Sequence, residues 1–366
     1  MKMSLIDILS LLFKVAVSIP PIPDADDQLH IYALPVGQGD CTVIQCPFGY
    51  GDPVKGTVTI IDAGSSKFLG MKNSDIVDFL AGTELHLVVL THSDKDHINY
   101  MNHILNSYAK KVPVYHSCEW ATYTKNISSN NADPRQVPYC YSIKDCAKKL
   151  NLCPNYQPDP NAANSVTLSI VASAYKQCVH AGDEANNEDS IISKVTYVGK
   201  STLITGDFEL PKDHMRLFLD LAGPDLKSDI YKVSHHGAYT YTNNKANRPE
   251  FLDAIGASYV FSSSGFKYPY NHPRCQIYDY YDAKFSDNAV AKHPYTCYNS
   301  KYEDDYKIIN TRKPIYVTSV YLKTWLHVFG FNSEVYMYHM IVKFDITITG
   351  RINVETMEVR DVKDEL

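Results

Sequence analysis

The spacing of apolar positions along the chain predicts a layered α/β protein. Three apolar runs near the beginning, at 29–36, 41–46 and 56–62, are typical of an opening β-meander. The run at 85–90 is apolar and rich in branched side chains, which predicts a buried strand. Further elements follow in the same manner, with strands at 112–116, 166–174, 190–198, 201–205, 229–233 and 257–263, and helices at 74–82, 98–108, 142–150 and 211–222.

Two regions depart from this pattern. Residues 118–164 are rich in Asn, Pro, Ser and Cys, which predicts an insertion near the mouth of a site, because loops carry such variation. Residues 314–360 alternate apolar and polar positions and predict antiparallel strands. We therefore expect a main domain at 28–282 and an accessory β-rich segment at 283–362 packed against it.

A cluster of potential metal ligands follows the strand at 85–90. The sequence Thr-His-Ser-Asp-Lys-Asp-His places His92, Asp94, Asp96 and His97 within six residues. Imidazole and carboxylate groups are the ligands of zinc and manganese sites. The two histidines do not share one helix face, but a turn from strand to loop to helix can fold them around one or two ions. The alternative for this cluster is a solvated polar loop.

The order of these residues resembles a known signature. It is similar to the His-x-His-x-Asp-His motif of the metallo-β-lactamase superfamily, in the His-x-Asp-x-Asp-His form of ComEC-like competence proteins. The resemblance covers roughly residues 28–280. It implies a four-layer αββα sandwich, with the ligands on loops at one edge. Five other segments match in order and spacing, namely Val36-Gly37-Gln38-Gly39-Asp40, Thr59-Ile60-Ile61-Asp62-Ala63-Gly64, Leu203-Ile204-Thr205-Gly206-Asp207, Val233-Ser234-His235-His236-Gly237 and Asn271-His272-Pro273.

The resemblance also implies a centre for one or two divalent ions, Zn²⁺ first and Mn²⁺ as the alternative. His92 and Asp94 would hold one ion, Asp96 and His97 the second, and Asp207 would bridge them. In this arrangement a metal-bound hydroxide acts as the nucleophile.

A histidine of the pair His235-His236 would complete one shell. Neighbouring side chains of a strand point in opposite directions, so both stay candidates, with a slight preference for His235. Asp62 and Asp40 are candidates to support the ligands from behind.

Asp96 and His272 are the candidate catalytic residues. His272 would contact a phosphate or act as general acid, and its structural alternative is a histidine that caps the Pro turn. Lysines and an arginine near the motifs are further candidates to contact a phosphate, namely Lys95, Lys232, Lys267 and Arg274.

One segment departs from the superfamily pattern. Where another histidine ligand is usual, residues 186–190 read Asn-Asn-Glu-Asp-Ser, and His180 precedes them by several residues. The second metal site is therefore expected to be richer in oxygen ligands and more favourable to Mn²⁺ than a standard zinc pair.

Three classes of function are consistent with these observations. The first is a metal-dependent hydrolase of phosphoesters, either nucleic acids or small molecules. The second is a hydrolase of carbonyl substrates such as a lactone, thioester or β-lactam. The third is a non-catalytic lumenal binding protein. The formal net charge of −6 provides no overall basic field, which weighs against tight binding to duplex nucleic acid.

Both ends of the chain indicate the lumen of the endoplasmic reticulum. Residues 1–20 resemble a signal peptide, and the last four, Lys-Asp-Glu-Leu, match the signal that the KDEL receptor retrieves. No later run is long and apolar enough to predict a transmembrane segment. Asn126 begins an Asn-Ile-Ser glycosylation acceptor.

The nine cysteines fit an oxidising compartment, where most would pair and one would be left over. A group of four lies in or near the polar insertion and is expected to staple that long loop, namely Cys140, Cys146, Cys153 and Cys178.

Overall fold

The structure is a computed structural model. It describes residues 19–66, 70–156, 165–179, 187–239, 245–265, 270–300, 305–324 and 334–361. The predicted signal peptide, except its last two residues, lies outside these ranges, as do His180, Lys267 and the retrieval signal at 363–366.

Strands and short helices alternate along most of the chain. The strands are β1 (Leu29–Ala33), β2 (Cys41–Gln45), β3 (Thr57–Ala63), β4 (Glu84–Leu90), β5 (Val112–His116), β6 (Ala132–Gln136), β7 (Lys149–Asn151), β8 (Thr167–Ala172), β9 (Ile192–Tyr197), β10 (Lys200–Ile204), β11 (Ile230–Lys232), β12 (Tyr259–Ser262), β13 (His293–Tyr298), β14 (Tyr306–Thr311), β15 (Ile315–Val317), β16 (Ser319–Thr324), β17 (Glu334–Ile346) and β18 (Ile352–Asp361). The helices are α1 (Asn73–Phe79), α2 (Lys95–Ile98), α3 (Met101–Asn106), α4 (Trp120–Tyr123), α5 (Ile143–Cys146), α6 (Lys212–Leu226), α7 (Pro249–Ile255) and α8 (Cys275–Asp282).

Two mixed sheets form the body of the protein. In the first, β17, β1, β2 and β3 pair antiparallel, and β3, β4, β5 and β6 continue in parallel. Strand β17 also pairs with β16 and β18. In the second, β15, β12, β11 and β10 are parallel, and β9, β8 and β7 complete the sheet antiparallel. Strands β13 and β14 form a separate hairpin.

The side chains of these sheets alternate between two apolar layers. Ile61 and Val89 of the first sheet share a buried cluster with Ile170 and Phe261 of the second, so the sheets pack face to face. The opposite face of the first sheet packs on α1 and α3, and that of the second on α6, α7 and α8. The predicted four-layer αββα sandwich is confirmed.

The insertion at 118–164 is more structured than its composition predicts. It adds β6 to the edge of the first sheet and β7 to the edge of the second. The helix predicted at 142–150 is wrong beyond its first turn, because Ala147 adopts a left-handed conformation and β7 then pairs with β8.

The region after residue 283 is rich in strands, as predicted. Its strands join both sheets: β15 extends the second, and β17 pairs with β1 in the first. Within the described ranges, no helix has the length and apolar character needed to cross a membrane.

Eight of the nine cysteines pair, and Cys41 is left over and buried. The predicted staple is only partly correct. Cys140–Cys146 closes a short loop within the insertion, whereas Cys153 bonds Cys46 at the end of β2 and Cys178 bonds Cys118 after β5. The reason is that the insertion contributes strands to the sheet edges, which places its cysteines beside the body of the protein. Cys275–Cys297 joins α8 to the β13–β14 hairpin.

Candidate metal centre

The carboxyl ends of the parallel strands in both sheets deliver the chemically active residues to one edge of the sandwich. In the first sheet, Asp62 lies near the end of β3 and His92 follows β4. In the second, Asp207 follows β10, and the His235-His236 pair follows β11. Because the two sheets pack face to face, residues far apart in sequence meet at this edge.

Asp62 organises the turn after β4. Its carboxylate accepts hydrogen bonds from the Thr91 backbone N–H (2.7 Å) and the Thr91 hydroxyl (2.6 Å). It also accepts from Nδ1 of His97 (2.8 Å), which lies on the short helix α2. Asp62 itself has a left-handed backbone, with φ at 57°. This strained conformation aims one carboxylate at both the turn and the histidine.

The His235-His236 pair occupies an unusual backbone conformation. Both residues have positive φ angles, 48° and 53°, in a 3₁₀ turn beyond the end of β11. Asn247 holds the turn by accepting from the Ser234 backbone N–H (3.1 Å) and donating to the Ser234 carbonyl (2.7 Å). The strand alternation expected from the sequence therefore does not apply here. Both imidazoles face Asp207, with Nε2 of His235 and His236 at 3.7 Å and 3.4 Å from Asp207 Oδ2.

Three buried histidines present the same edge toward the centre. Their Nδ1 atoms donate outward: His92 to the Thr91 hydroxyl (3.1 Å), His97 to Asp62, and His236 to the Ser263 carbonyl (2.8 Å). Among the described residues, none provides a hydrogen-bond partner for the Nε2 atoms of these three histidines. Metal-binding histidines show this arrangement, with one ring nitrogen fixed by an acceptor and the other left for the ion.

Asp207 lies beside two of these histidines, His97 and His236. Its Oδ1 atom is 3.1 Å from Nε2 of His97 and is also buried without a hydrogen-bond partner in the described part of the chain. Such unsatisfied buried atoms are rare in folded proteins and require an explanation. Nitrogen and carboxylate oxygen donors that meet in this way fit a divalent metal ion.

Charge compensation supports the same interpretation. Burial alone would lower the pKa of His97, but the carboxylates of Asp207 and Asp62 raise that pKa well above its ordinary value. Burial alone would raise the pKa of Asp207, but His236 and His97 hold it well below its usual range. The carboxylates thus require positive charge, which a divalent cation supplies when it displaces protons from the imidazoles.

Asp40 lies on the far side of the imidazoles. Possible ligand atoms of Asp40, His97, Asp207 and His236 lie within 4.8 Å of one another. However, the Asp40 carboxylate faces the Nδ1 atoms of His97 (3.4 Å) and His236 (3.8 Å) and forms an ion pair with Lys232. This position is that of a supporting group rather than of a ligand.

Asp94, directly before α2, and Asp96, in the first turn of α2, border the centre. Asp96 Oδ2 lies 3.7 Å from Nε2 of His236, and Asp94 Oδ2 lies 3.6 Å from Nε2 of His92. Asp94 is the more exposed, at 41% of its side chain. Burial alone would raise the pKa of Asp94, but the charge of His92 lowers that pKa below its ordinary value. Both carboxylates can therefore serve as oxygen ligands.

Two further histidines adjoin this group. His235 donates from Nδ1 to Glu209 (3.2 Å). Burial alone would lower the pKa of His235, but Asp207 and Glu209 raise that pKa to about 9. The ring of His272 lies 5.8 Å from that of His235. Burial, followed by the charge of His235, lowers the pKa of His272 well below its ordinary value, so its imidazole is neutral.

The structure thus brings every predicted site residue of the centre into one continuous group, while their roles as ligands and catalysts stay predictions. Two residues of this group differ from the prediction. Glu209 was missed, although an acidic residue two positions after Asp207 is a usable signal. Lys232 was a candidate to contact phosphate, and this is wrong, because its side chain is buried against Asp40.

Residues 187–190, where the resemblance would place another histidine, lie beside the centre. Asn187 Nδ2 lies 3.4 Å from Glu209 Oε1 and 3.5 Å from Nδ1 of His235. The backbone N–H of Ile191 donates to the Thr91 carbonyl (2.8 Å), which places this stretch beside the metal motif.

The predicted glycosylation acceptor Asn126 lies just after α4 and is half-buried.

Comparisons with known proteins agree with the resemblance drawn from the motifs. No protein-family model matches the chain. ComE operon protein 3 of Bacillus subtilis (strain 168) is 20% identical over 267 residues, which cover 70% of this chain and 31% of that protein. The chain thus matches less than a third of that relative's length.

Among solved structures, the chain is similar to CmlA, a diiron β-hydroxylase from Streptomyces venezuelae, with a TM-score of 0.37, 13% identity and coverage of 66% of this chain and 45% of that one. It is also similar to MEM-A1, a subclass B3 metallo-β-lactamase from a soil metagenome library, with a TM-score of 0.34, 12% identity and coverage of 60% and 81%.

Proposed function

We propose that this protein is a metal-dependent hydrolase and that its substrates are phosphoesters. The observation that carries the proposal is the meeting of His97, His236 and Asp207: the two Nε2 atoms lie 3.1 Å and 3.4 Å from the Asp207 carboxylate, and these nitrogen atoms and Asp207 Oδ1 are buried without hydrogen-bond partners among the described residues. The ring of His92 packs 4.1 Å from that of His97. A divalent ion held there supplies Lewis acidity and makes a water molecule acidic enough to attack near neutral pH.

A chain that had lost its chemistry would have little reason to keep this arrangement. Each buried polar atom without a partner costs about 1–3 kcal/mol. The left-handed conformations of Asp62, His235 and His236 cost of the order of 1–3 kcal/mol each. These costs support a functional centre over the alternative of a binding protein that merely retains the fold.

The donor set favours phosphoesters over carbonyl substrates. Asp94, Asp96 and Asp207 contribute oxygen atoms beside the histidines, and Asn187 lies where the superfamily usually has another histidine. Oxygen-rich sites suit Mn²⁺ and Mg²⁺, the ions that most often accompany phosphate groups. The same centre is chemically able to polarise a carbonyl group, so carbonyl substrates are an outcome that the experiment must include.

His272 is the proposed contact to a phosphoryl oxygen of the substrate. Its Nδ1 atom is buried and makes no hydrogen bond to the described part of the chain, and burial lowers its pKa, so the neutral ring would donate one hydrogen bond to the substrate without giving up its proton. Its neighbour His235 lies 3.7 Å from Asp207. His272 therefore lies close to the reacting groups without being required to bind the ion.

The proposal is tested by hydrolysis assays on full-length protein loaded with Zn²⁺ or Mn²⁺. Bis-p-nitrophenyl phosphate serves as the phosphodiester, and a chromogenic cephalosporin and a thioester serve as carbonyl substrates. We expect turnover of the phosphodiester and a loss of at least about 100-fold in Asp207→Asn, because a proposed carboxylate ligand of the metal is replaced by a neutral amide. Asp220→Asn is the matched control, since Asp220 is exposed on α6.

Each outcome assigns the function differently. Turnover of the phosphodiester that disappears in Asp207→Asn and persists in Asp220→Asn supports the proposal. Turnover of a carbonyl substrate alone replaces phosphoesters with carbonyl compounds. Protein that binds metal and hydrolyses none of these substrates contradicts the assignment as a hydrolase.

A further inference from the structure

A buried lysine lies directly behind the metal centre. Lys232 is the last residue of β11, and 1% of its side chain is exposed. Its Nζ atom forms an ion pair with the buried carboxylate of Asp40 and donates to the Gly206 carbonyl (3.2 Å). A buried ammonium group is unfavourable unless it is paired and hydrogen-bonded, so both contacts are needed to keep it there.

These contacts join the two halves of the centre. Asp40 comes from the loop between β1 and β2 of the first sheet, whereas Gly206 directly precedes Asp207 in the loop after β10 of the second sheet. Through Asp40, the lysine also reaches the Nδ1 edges of His97 and His236. Lys232 therefore lies between a carboxylate, two candidate ligand histidines and the backbone that carries the central aspartate.

We propose that Lys232 is a positioning residue that holds Asp40 on the Nδ1 side of the imidazoles and out of the coordination shell of the metal. The proposal rests on the proposed metal centre but not on the reaction. Asp40 is close enough to compete, since its ligand atoms lie within 4.8 Å of those of His97, Asp207 and His236. A buried carboxylate without a compensating cation would turn toward the metal, which is the strongest local positive charge.

The lysine thereby limits the number of carboxylates that contact the ion. With Lys232 present, Asp40 is neutralised from behind and contacts the histidines only at Nδ1. Without Lys232, Asp40 would become an additional oxygen ligand, and its support for His97 and His236 would be lost. The coordination number and the affinity of the site would both change.

Cobalt spectroscopy measures this change without any enzymatic assay. Full-length protein is loaded with Co²⁺, and the visible absorption spectrum reports the coordination number. We expect Lys232→Met to shift the spectrum toward a higher coordination number and to change Co²⁺ affinity by about 10–100-fold, the usual effect of altering groups behind the ligands. Lys232→Arg keeps the charge and is expected to retain a spectrum close to that of the unaltered protein.

A double variant and a control separate this role from a general effect on folding. Asp40→Asn combined with Lys232→Met removes both charges, which folded proteins often tolerate, and is expected to restore the original spectrum. Lys200→Met is the matched control, because Lys200 pairs with Asp229 at a partly exposed position on β10.

The possible results are distinguishable. A folded Lys232→Met variant with an unchanged spectrum overturns the proposal. If that variant does not fold, the double variant decides, because a shifted spectrum there would show that Lys232 does not act through Asp40. If the unaltered protein takes up no Co²⁺, the proposed metal centre is wrong. If the protein lacks phosphodiesterase activity, the proposed reaction is wrong but the spectroscopic test of Lys232 still holds.

Discussion

Asp62 shows how much of the centre depends on one side chain. It accepts hydrogen bonds from the backbone and hydroxyl of Thr91 and from Nδ1 of His97. Thr91 in turn accepts from Nδ1 of His92. One carboxylate therefore orients two of the histidines that are proposed to bind metal, while Asp62 itself contacts the Nδ1 side of His97 and not its Nε2 side.

Replacement of Asp62 should therefore weaken metal binding rather than remove it. We expect Asp62→Asn to lower Zn²⁺ affinity by about 10–100-fold, because an amide cannot accept from both Thr91 and His97 as a carboxylate does. Competition with a chromophoric chelator measures the affinity. Asp78→Asn, at an exposed position of α1, is the control, and equal affinities of the two variants would contradict the prediction.

The sequence predicted individual residues well where the motif spacing carried them. Asp62, Asp207 and the His235-His236 pair all reach one edge, as expected. The role of Lys232 was not predictable, because its burial depends on Asp40, which is almost 200 residues away in the sequence. Lys232 ends a buried strand, and this position in the sequence already indicated a buried lysine rather than an exposed one that contacts phosphate.

At the scale of elements, the loop after β10 depends on a glycine. Gly206 has a φ of 54°, and an added β-carbon would overlap the side chain of Thr91. The close approach of this loop to Thr91 brings Asp207 against the motif that follows β4. A side chain at this position would force the two sheets apart where the centre forms.

Gly206→Ala should accordingly reduce both stability and metal binding. Gly199→Ala is a matched control, since Gly199 also has a positive φ (75°) but nothing lies within 4 Å of an added β-carbon. The control should cost about 1 kcal/mol in unfolding free energy, the usual penalty for strain alone. Urea denaturation and zinc titration measure the two effects, and similar losses in both variants would disprove the close approach.

Element prediction succeeded in the interior and failed at the edges. Strand β4 is largely buried and carries the continuous apolar run 87–90, which is why it was predicted directly. Strand β6 is polar because it pairs along one edge and is largely exposed, and β7 has three residues. Such strands are specified by their partners rather than by their own composition, so the insertion could not be predicted in detail.

At the scale of the whole molecule, a histidine makes stability depend on pH. His339 lies in β17, fully buried, with Nδ1 bonded to the Ser319 hydroxyl (2.9 Å). Burial lowers its pKa from 6.5 to about 4. The unfolded chain therefore binds a proton more readily than the folded protein between these pH values, and stability is lost as pH falls from about 6.5 to 4.

The expected loss over this interval is about 3 kcal/mol from His339, which corresponds to the shift in its pKa. In His339→Gln the free energy of unfolding should fall less steeply below pH 6.5, as measured by urea denaturation at several pH values. His103→Gln, an exposed position on α3, should leave the slope unchanged. An identical slope in His339→Gln and the unaltered protein would show that other groups cause the acid sensitivity.

Residence in the lumen of the endoplasmic reticulum is a proposal at the same scale. The four disulfides among the described residues support an oxidising compartment. Removal of residues 363–366 should move the protein from the cells into the medium, as measured by immunoblotting of both fractions. Retention equal to that of the unaltered chain would argue against retrieval through these residues.

The pairing of β1 with β17 also governs the timing of assembly during synthesis. Leu29 pairs with Ile346, more than 300 residues later. At about 5–20 residues per second, a ribosome needs roughly 15–60 s to make the intervening chain. Until then the edge of β1 that pairs with β17 has no partner, and the loop that carries Asp40 follows a strand whose sheet is incomplete. A nascent chain would thus complete the proposed metal centre only near the end of translation. Chains interrupted earlier would expose an unpaired strand edge that can pair with other chains.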